Sequence, residues 1–156
     1  MEDIVRILVI SRMTQYCRKA VHYGISLARR YHAELSVMHV FHNPFGLEGW
    51  NIPMINFEEE HRKDMEKQKI KLDAIIHREN KAGMAIKESI KEGDPTEEIF
   101  KKVEEEKIDL LILCSHEEGR LEHFLFGRSN EELVRKMPCS IMLVKKEPEP
   151  VVFDES

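Results

Sequence analysis

The chain is poor in the features that announce a specialised environment. Three cysteines, Cys17, Cys114 and Cys139, are too few and too scattered for a disulfide framework, which points to a reducing, cytoplasmic setting. No apolar run approaches the roughly 20 residues needed to span a bilayer. The start, Met1-Glu2-Asp3-Ile4, is acidic, unlike the basic opening of a secretory signal. There is no excess of positive charge either. Twenty-four basic residues stand against 29 acidic ones, for a net charge of −5. Nucleic acid and membrane are therefore not expected partners.

What is present is the composition of one globular unit. Hydrophobic residues make up 42% and charged residues 34% of 156 positions, which suits one domain and leaves little room for a second. The apolar pattern alternates between two periods. Ile4–Ile10, Leu35–Phe41, Ile108–Cys114 and Ile141–Val144 are short, nearly continuous apolar runs, as expected of strands covered on both faces. Met84, Ile86 and Ile90 fit a further strand, although Glu88 falls on the same face.

Between these runs the spacing is helical. Cys17, Ala20, Val21, Gly24, Ile25 and Ala28 recur on one stripe, with Thr14 placed to cap them. A charged helix is predicted from Phe57 to about Lys81, burying Met65, Leu72, Ile75 and Ile76. Gly93-Asp94-Pro95-Thr96-Glu97 marks the next helix start: a turn, a capping carboxylate, a proline at the first position and a glutamate to complete the box. Ile99, Phe100 and Val103 follow. Ser129 and Glu132 predict the start of a last helix, whose buried face is read as Leu133, Val134 and Met137 before Pro138 ends it. Strand alternating with helix five times implies a parallel sheet with right-handed crossovers and helices on both faces. One domain over residues 1–145 is expected, with a long loop at 42–56 and a loose tail at 146–156.

In such a sheet, ligands sit beyond the carboxyl ends of the strands where the strand order reverses. The segments concerned are Ser11-Arg12-Met13-Thr14 and Cys114-Ser115-His116-Glu117-Glu118. At these positions the chain resembles the universal stress protein family. Ile7-Leu8-Val9-Ile10, Ala33-Glu34-Leu35 through His39-Val40, Glu92-Gly93-Asp94-Pro95 through Asp109-Leu110, and Cys114-Ser115-His116 through Val144 carry the likeness. The resemblance implies a fold of the adenine nucleotide alpha hydrolase type, with strand order 3-2-1-4-5. It also implies a homodimer through the last strand, with Ile141, Met142, Leu143 and Val144 near the two-fold axis.

ATP-binding members of that family carry G-x-x-G, nine residues, then G-[ST]. Here those places hold Cys114, Glu117, Gly127 and Arg128, with Ser129 one further on. The family's acidic residue after the first strand falls on Arg12, and its adenine-side valine on Val40. Glycines allow backbone N–H groups to approach phosphate closely. Glu117 and Glu118 would instead set carboxylates beside a triphosphate, and two unit charges at ~4 Å repel by roughly 4 kcal/mol at an effective dielectric near 20. No cofactor is therefore expected. The reading is a non-enzymatic stress-response dimer acting through an unidentified protein partner. The alternative is an adenine-nucleotide switch or weak ATPase, in which Arg12, Arg120 and Arg128 offset the glutamates and hold ATP.

The remaining candidates are read blandly. His39 and His42 point to opposite faces of an extended strand and suit a metal only if the chain turns between them. Cys114 and Cys139 should lie at opposite ends of neighbouring strands. Cys17 and Cys114 are read as packed thiols before a redox pair, and Phe45 and Trp50 as an apolar cluster before a lid.

Overall fold

The structure, a computed structural model, describes residues 3–11, 18–41, 57–115 and 128–145, the side chains of Phe57, Arg128 and Ser129 excepted. The expected loop 42–56, the tail 146–156, Thr14, Cys17, His42 and His116 lie outside the described residues.

Nine elements alternate as the sequence pattern requires: β1 (Arg6–Ser11), α1 (Arg18–Tyr31), β2 (Glu34–Phe41), α2 (Phe57–Glu79), β3 (Ile86–Glu92), α3 (Pro95–Glu106), β4 (Leu110–Cys114), α4 (Arg128–Lys136) and β5 (Ser140–Val144). All the strands pair in parallel, in the order β3-β2-β1-β4-β5. The order reverses beside β1, which pairs with β2 on one side and β4 on the other.

Two cores follow from the two-residue period of the strands. Ile7 and Val9 face α1 and α2, meeting Val21, Ile25, Leu72 and Ile76. Leu8 and Ile10 face the other way, towards Ile99 and Val103 of α3 and Leu133 of α4. The near-continuous apolar runs of β1 and β4 are thus explained by burial on both faces. β3 is an edge strand, and on the face it turns towards α2 Glu88 stays exposed while Ile86 and Ile90 are half-buried against the α1-side core.

Local signals set most boundaries. Asp94 caps α3, its Oδ1 accepting from the Glu97 N–H at 3.0 Å, with Pro95 at the first turn. The helix ends on Lys107, in left-handed conformation at φ 50°. Asn80 closes the turn after α2, bonding the N–H and the carbonyl of Met84 at 2.9 and 2.8 Å. At the opposite end of the sheet from the strand carboxyl termini, Asp109 Oδ2 accepts from the N–H groups of Val5 and Arg6 at 2.8 and 2.7 Å. That bond starts β1, and it explains why β4 begins at Leu110 although Ile108 is already buried.

The last helix departs from expectation. Only Leu133 of its expected apolar face is buried; Val134 is 39% exposed and Met137 56%. Met137 has left the helix, at φ 45°, and its N–H closes on the Leu133 carbonyl at 2.9 Å. Val134 faces outward, and no element among the described residues covers it fully. α4 begins at Arg128, so Ser129 is inside the first turn and not before it, a shift within the ordinary latitude of helix ends.

Candidate functional site

The reversal of strand order places the carboxyl ends of β1 and β4 side by side, and the backbone there is fixed by buried polar groups. Ser11, the last residue of β1, is buried and pairs in register with His39. The His39 Nδ1–H donates to the Ser11 carbonyl at 2.8 Å. Burial lowers the His39 pKa, the Ser11 carbonyl opposes that shift, and the charge of Lys71 adds to it. The ring is therefore a neutral donor that holds the chain where it leaves β1 for Arg12. It stacks on Phe41 at 6.5 Å between centroids.

On β4, Cys114 stands opposite Val144 of β5, and the Ser115 N–H donates to the Val144 carbonyl at 2.8 Å. The Cys114 carbonyl accepts from Asn130 Nδ2 at 3.0 Å. Asn130 lies in the first turn of α4, so this bond ties the start of the helix to the end of the strand. Cys114 itself is 2% exposed and packs in the α1-side core. A glycine at this place would leave that volume empty.

Of the residues proposed from sequence, the structure places Val40 and Cys114 at the ends of neighbouring parts of the sheet. Val40 is buried with the α3–α4 core, facing away from Cys114. Arg12, Glu117 and Gly127 lie outside the described residues, and Arg128 and Ser129 are placed by backbone alone, at the start of α4. Two residues that order the site escaped the sequence reading. His39 was read as an isolated polar residue, and its signal was its place inside an otherwise apolar strand. Asn130 carried a weaker signal, an amide in a helix's first turn.

Cys114 and Cys139 are not joined to each other by a disulfide. Cys139 precedes Ser140, which pairs with Leu110, so the two thiols sit at opposite ends of the β4–β5 ladder. No cluster of three or more metal-ligating side chains occurs among the described residues. No described helix is long and apolar enough to cross a membrane.

The edge strand β5 presents Leu143, 51% exposed, on the same side as Ile141, which is half-buried against the α3–α4 core. Val144 is 1% exposed within its own protomer.

Comparison with known proteins converges on one group. The model of the universal stress protein family matches residues 4–145. Universal stress protein MJ0577 of Methanocaldococcus jannaschii is 30% identical over 114 residues, covering 72% of this chain and 70% of that protein. The solved structure of MJ0577 superposes with a TM-score of 0.73 at 24% identity, over 95% of this chain and 100% of that one. An Arabidopsis thaliana universal stress protein family protein with AMP bound superposes with a TM-score of 0.62 at 15% identity, over 92% and 93% of the two chains. A universal stress protein in complex with cAMP does so with a TM-score of 0.66 at 16% identity, over 92% and 98%.

Proposed function

The chain belongs to the universal stress protein family, and we propose that it serves there as a cytoplasmic homodimer that works through protein contacts, without turnover or tight retention of ATP. The observation that carries this reading is the α4–β5 margin. Among the described residues β5 is an edge strand with one side unpaired, and Leu143, Val134 and Met137 are exposed. An apolar, open edge favours pairing with another strand, and a second copy related by two-fold symmetry supplies one. Two such copies would cover Leu143 and extend the sheet.

The reading on nucleotide rests on the substituted glycines. Cys114 fills core volume at the end of β4, and Glu117, standing for the second glycine of the family's phosphate loop, adds a carboxylate to that sequence together with Glu118. The second reading, an adenine-nucleotide switch, is favoured by the AMP and cAMP complexes of the similar structures.

Sedimentation of the wild-type chain and of Leu143→Asp tests the dimer. The wild type should sediment as a dimer and the variant as a monomer; an unchanged dimer would place the contact elsewhere. Acid extraction of the purified protein separates the two nucleotide readings. Adenine nucleotide recovered at one per chain would decide for the switch.

A further inference from the structure

The stripe by which α2 faces the sheet is interrupted. Met65, Leu72 and Ile76 recur on it, and between the first two, where the helical period calls for an apolar partner, stands Lys69. The strand beneath has a matching interruption. β3 packs Ile86 and Ile90 against the α1-side core, and Glu88 stands between them. Lys69 and Glu88 are both exposed. Long charged side chains carry their heads to water, so neither closes the layer. A cavity of about 240 Å³ is left between α2 and β3, walled by Met65 and Leu72 on one side and Ile90 on the other. It is separate from the candidate site, because β3 lies at the edge of the sheet, two strands away from β1.

The wall of this cavity is mostly carbon. Leu72 is fully buried, and Met65 and Ile90 are half-buried. A water molecule is held well only by about two to four polar partners. Carbon supplies none, so water in this space yields readily to an apolar group.

Size and charge narrow the occupant. An apolar cavity of roughly 150 Å³ holds one benzene, and on that scale this one has room for about nine or ten non-hydrogen atoms. Four charged side chains border it, two of each sign: Arg62 and Lys69 against Glu66 and Glu88. All four are exposed, where water and salt screen them. An ion would meet as much repulsion as attraction there, while a neutral molecule leaves the balance undisturbed. A rigid ring gives up little conformational freedom on binding, whereas an alkyl chain of the same size must be ordered. The polarisable sulfur of Met65 also suits contact with an aromatic ring.

We propose that the α2–β3 cavity is a binding site for a small neutral aromatic molecule of the phenol or indole class. Its ring lies between Met65, Leu72 and Ile90, and its one polar group turns to the charged rim. The site adds a small-molecule ligand to a protein whose proposed work is done through protein contacts.

Titration of the full chain with p-cresol, followed by backbone amide chemical shifts, tests the proposal. Saturable shifts confined to α2 and β3 are expected, with a Kd of about 1 mM or tighter. p-Toluate and p-methylbenzylamine carry the same ring with a negative and a positive group. Each should bind at least about tenfold more weakly, since its charge must shed water without gaining a partner. Lys69→Leu with Glu88→Val supplies the two apolar residues that the layer lacks. Both positions are exposed, so the variant should fold, and its p-cresol affinity should fall by about tenfold or more as the cavity fills. Four results would each overturn the proposal: no saturation below about 20 mM p-cresol, shifts centred elsewhere, a charged analogue that binds as tightly as p-cresol, or a filled variant that binds as the wild type does.

Discussion

Gly24 of α1 lies so close to Val9 of β1 that a Cβ added to it would fall 2.4 Å from Val9 Cγ2 and 3.3 Å from Leu35 Cδ1. The helix rests on the sheet at that point, and side-chain-free backbone is what lets it. Val9 is fully buried at the centre of the α1-side core and has little room to retreat.

Gly24→Ala should therefore destabilise the protein. Alanine is the better helix former by about 1 kcal/mol, but overpacking a dense core costs about 1–3 kcal/mol, and the second effect should win. Urea unfolding measures the balance. A midpoint at or above that of the wild type would mean that α1 can lift off β1 at little cost.

His39→Leu should cost about 1–3 kcal/mol at neutral pH, because it removes a buried hydrogen bond to the Ser11 carbonyl. The variant should also change the acid limb of the stability curve. Burial lowers the His39 pKa from its ordinary 6.5, so on acidification the unfolded chain takes up the proton before the folded one does. The stability contributed by the neutral ring is present above 6.5 and drains away as the pH falls below it. The gap between wild type and variant should accordingly narrow between pH 7.5 and about 5.5. A constant gap over that range would show that His39 is free to protonate in place.

Restoring the glycines tests the basis of the nucleotide reading. Cys114→Gly with Glu117→Gly should raise affinity for ATP with magnesium by about tenfold or more, equivalent to about 1.4 kcal/mol. It should lower thermal stability as well, since Cys114 fills core volume beside Val144. Calorimetric titration of both proteins gives the comparison. Equal affinities would mean that the substituted positions do not govern binding.

The fold was legible because its signals are local. The apolar runs of β1, β2 and β4 and the Asp94-Pro95 helix start depend on a few neighbouring residues, and each took its expected place. Glu88 looked out of place within a strand only because the sequence does not say which strand lies at the edge. Val134 and Met137 failed for a related reason. Their spacing from Leu133 fits a buried stripe, but burial needs something on the other side, and the described residues do not supply it. At the candidate site, Cys114 was correctly singled out as the end of β4. Its tie to Asn130 was not, because the 16 residues between them leave their approach to the fold.

The sequence by itself settled that strands and helices alternate, where most of them begin and end, and to which family the pattern is akin. Periodicity, capping and turn chemistry act over a handful of bonds, and a reader of the chain sees all of the parties. Only the tertiary structure decided that His39 grips Ser11, that Asn130 holds the Cys114 carbonyl, and that Leu143 is left exposed. Those outcomes depend on which distant groups packing brings within hydrogen-bond reach and on where the stack of elements stops, and neither is encoded in any short stretch of the chain.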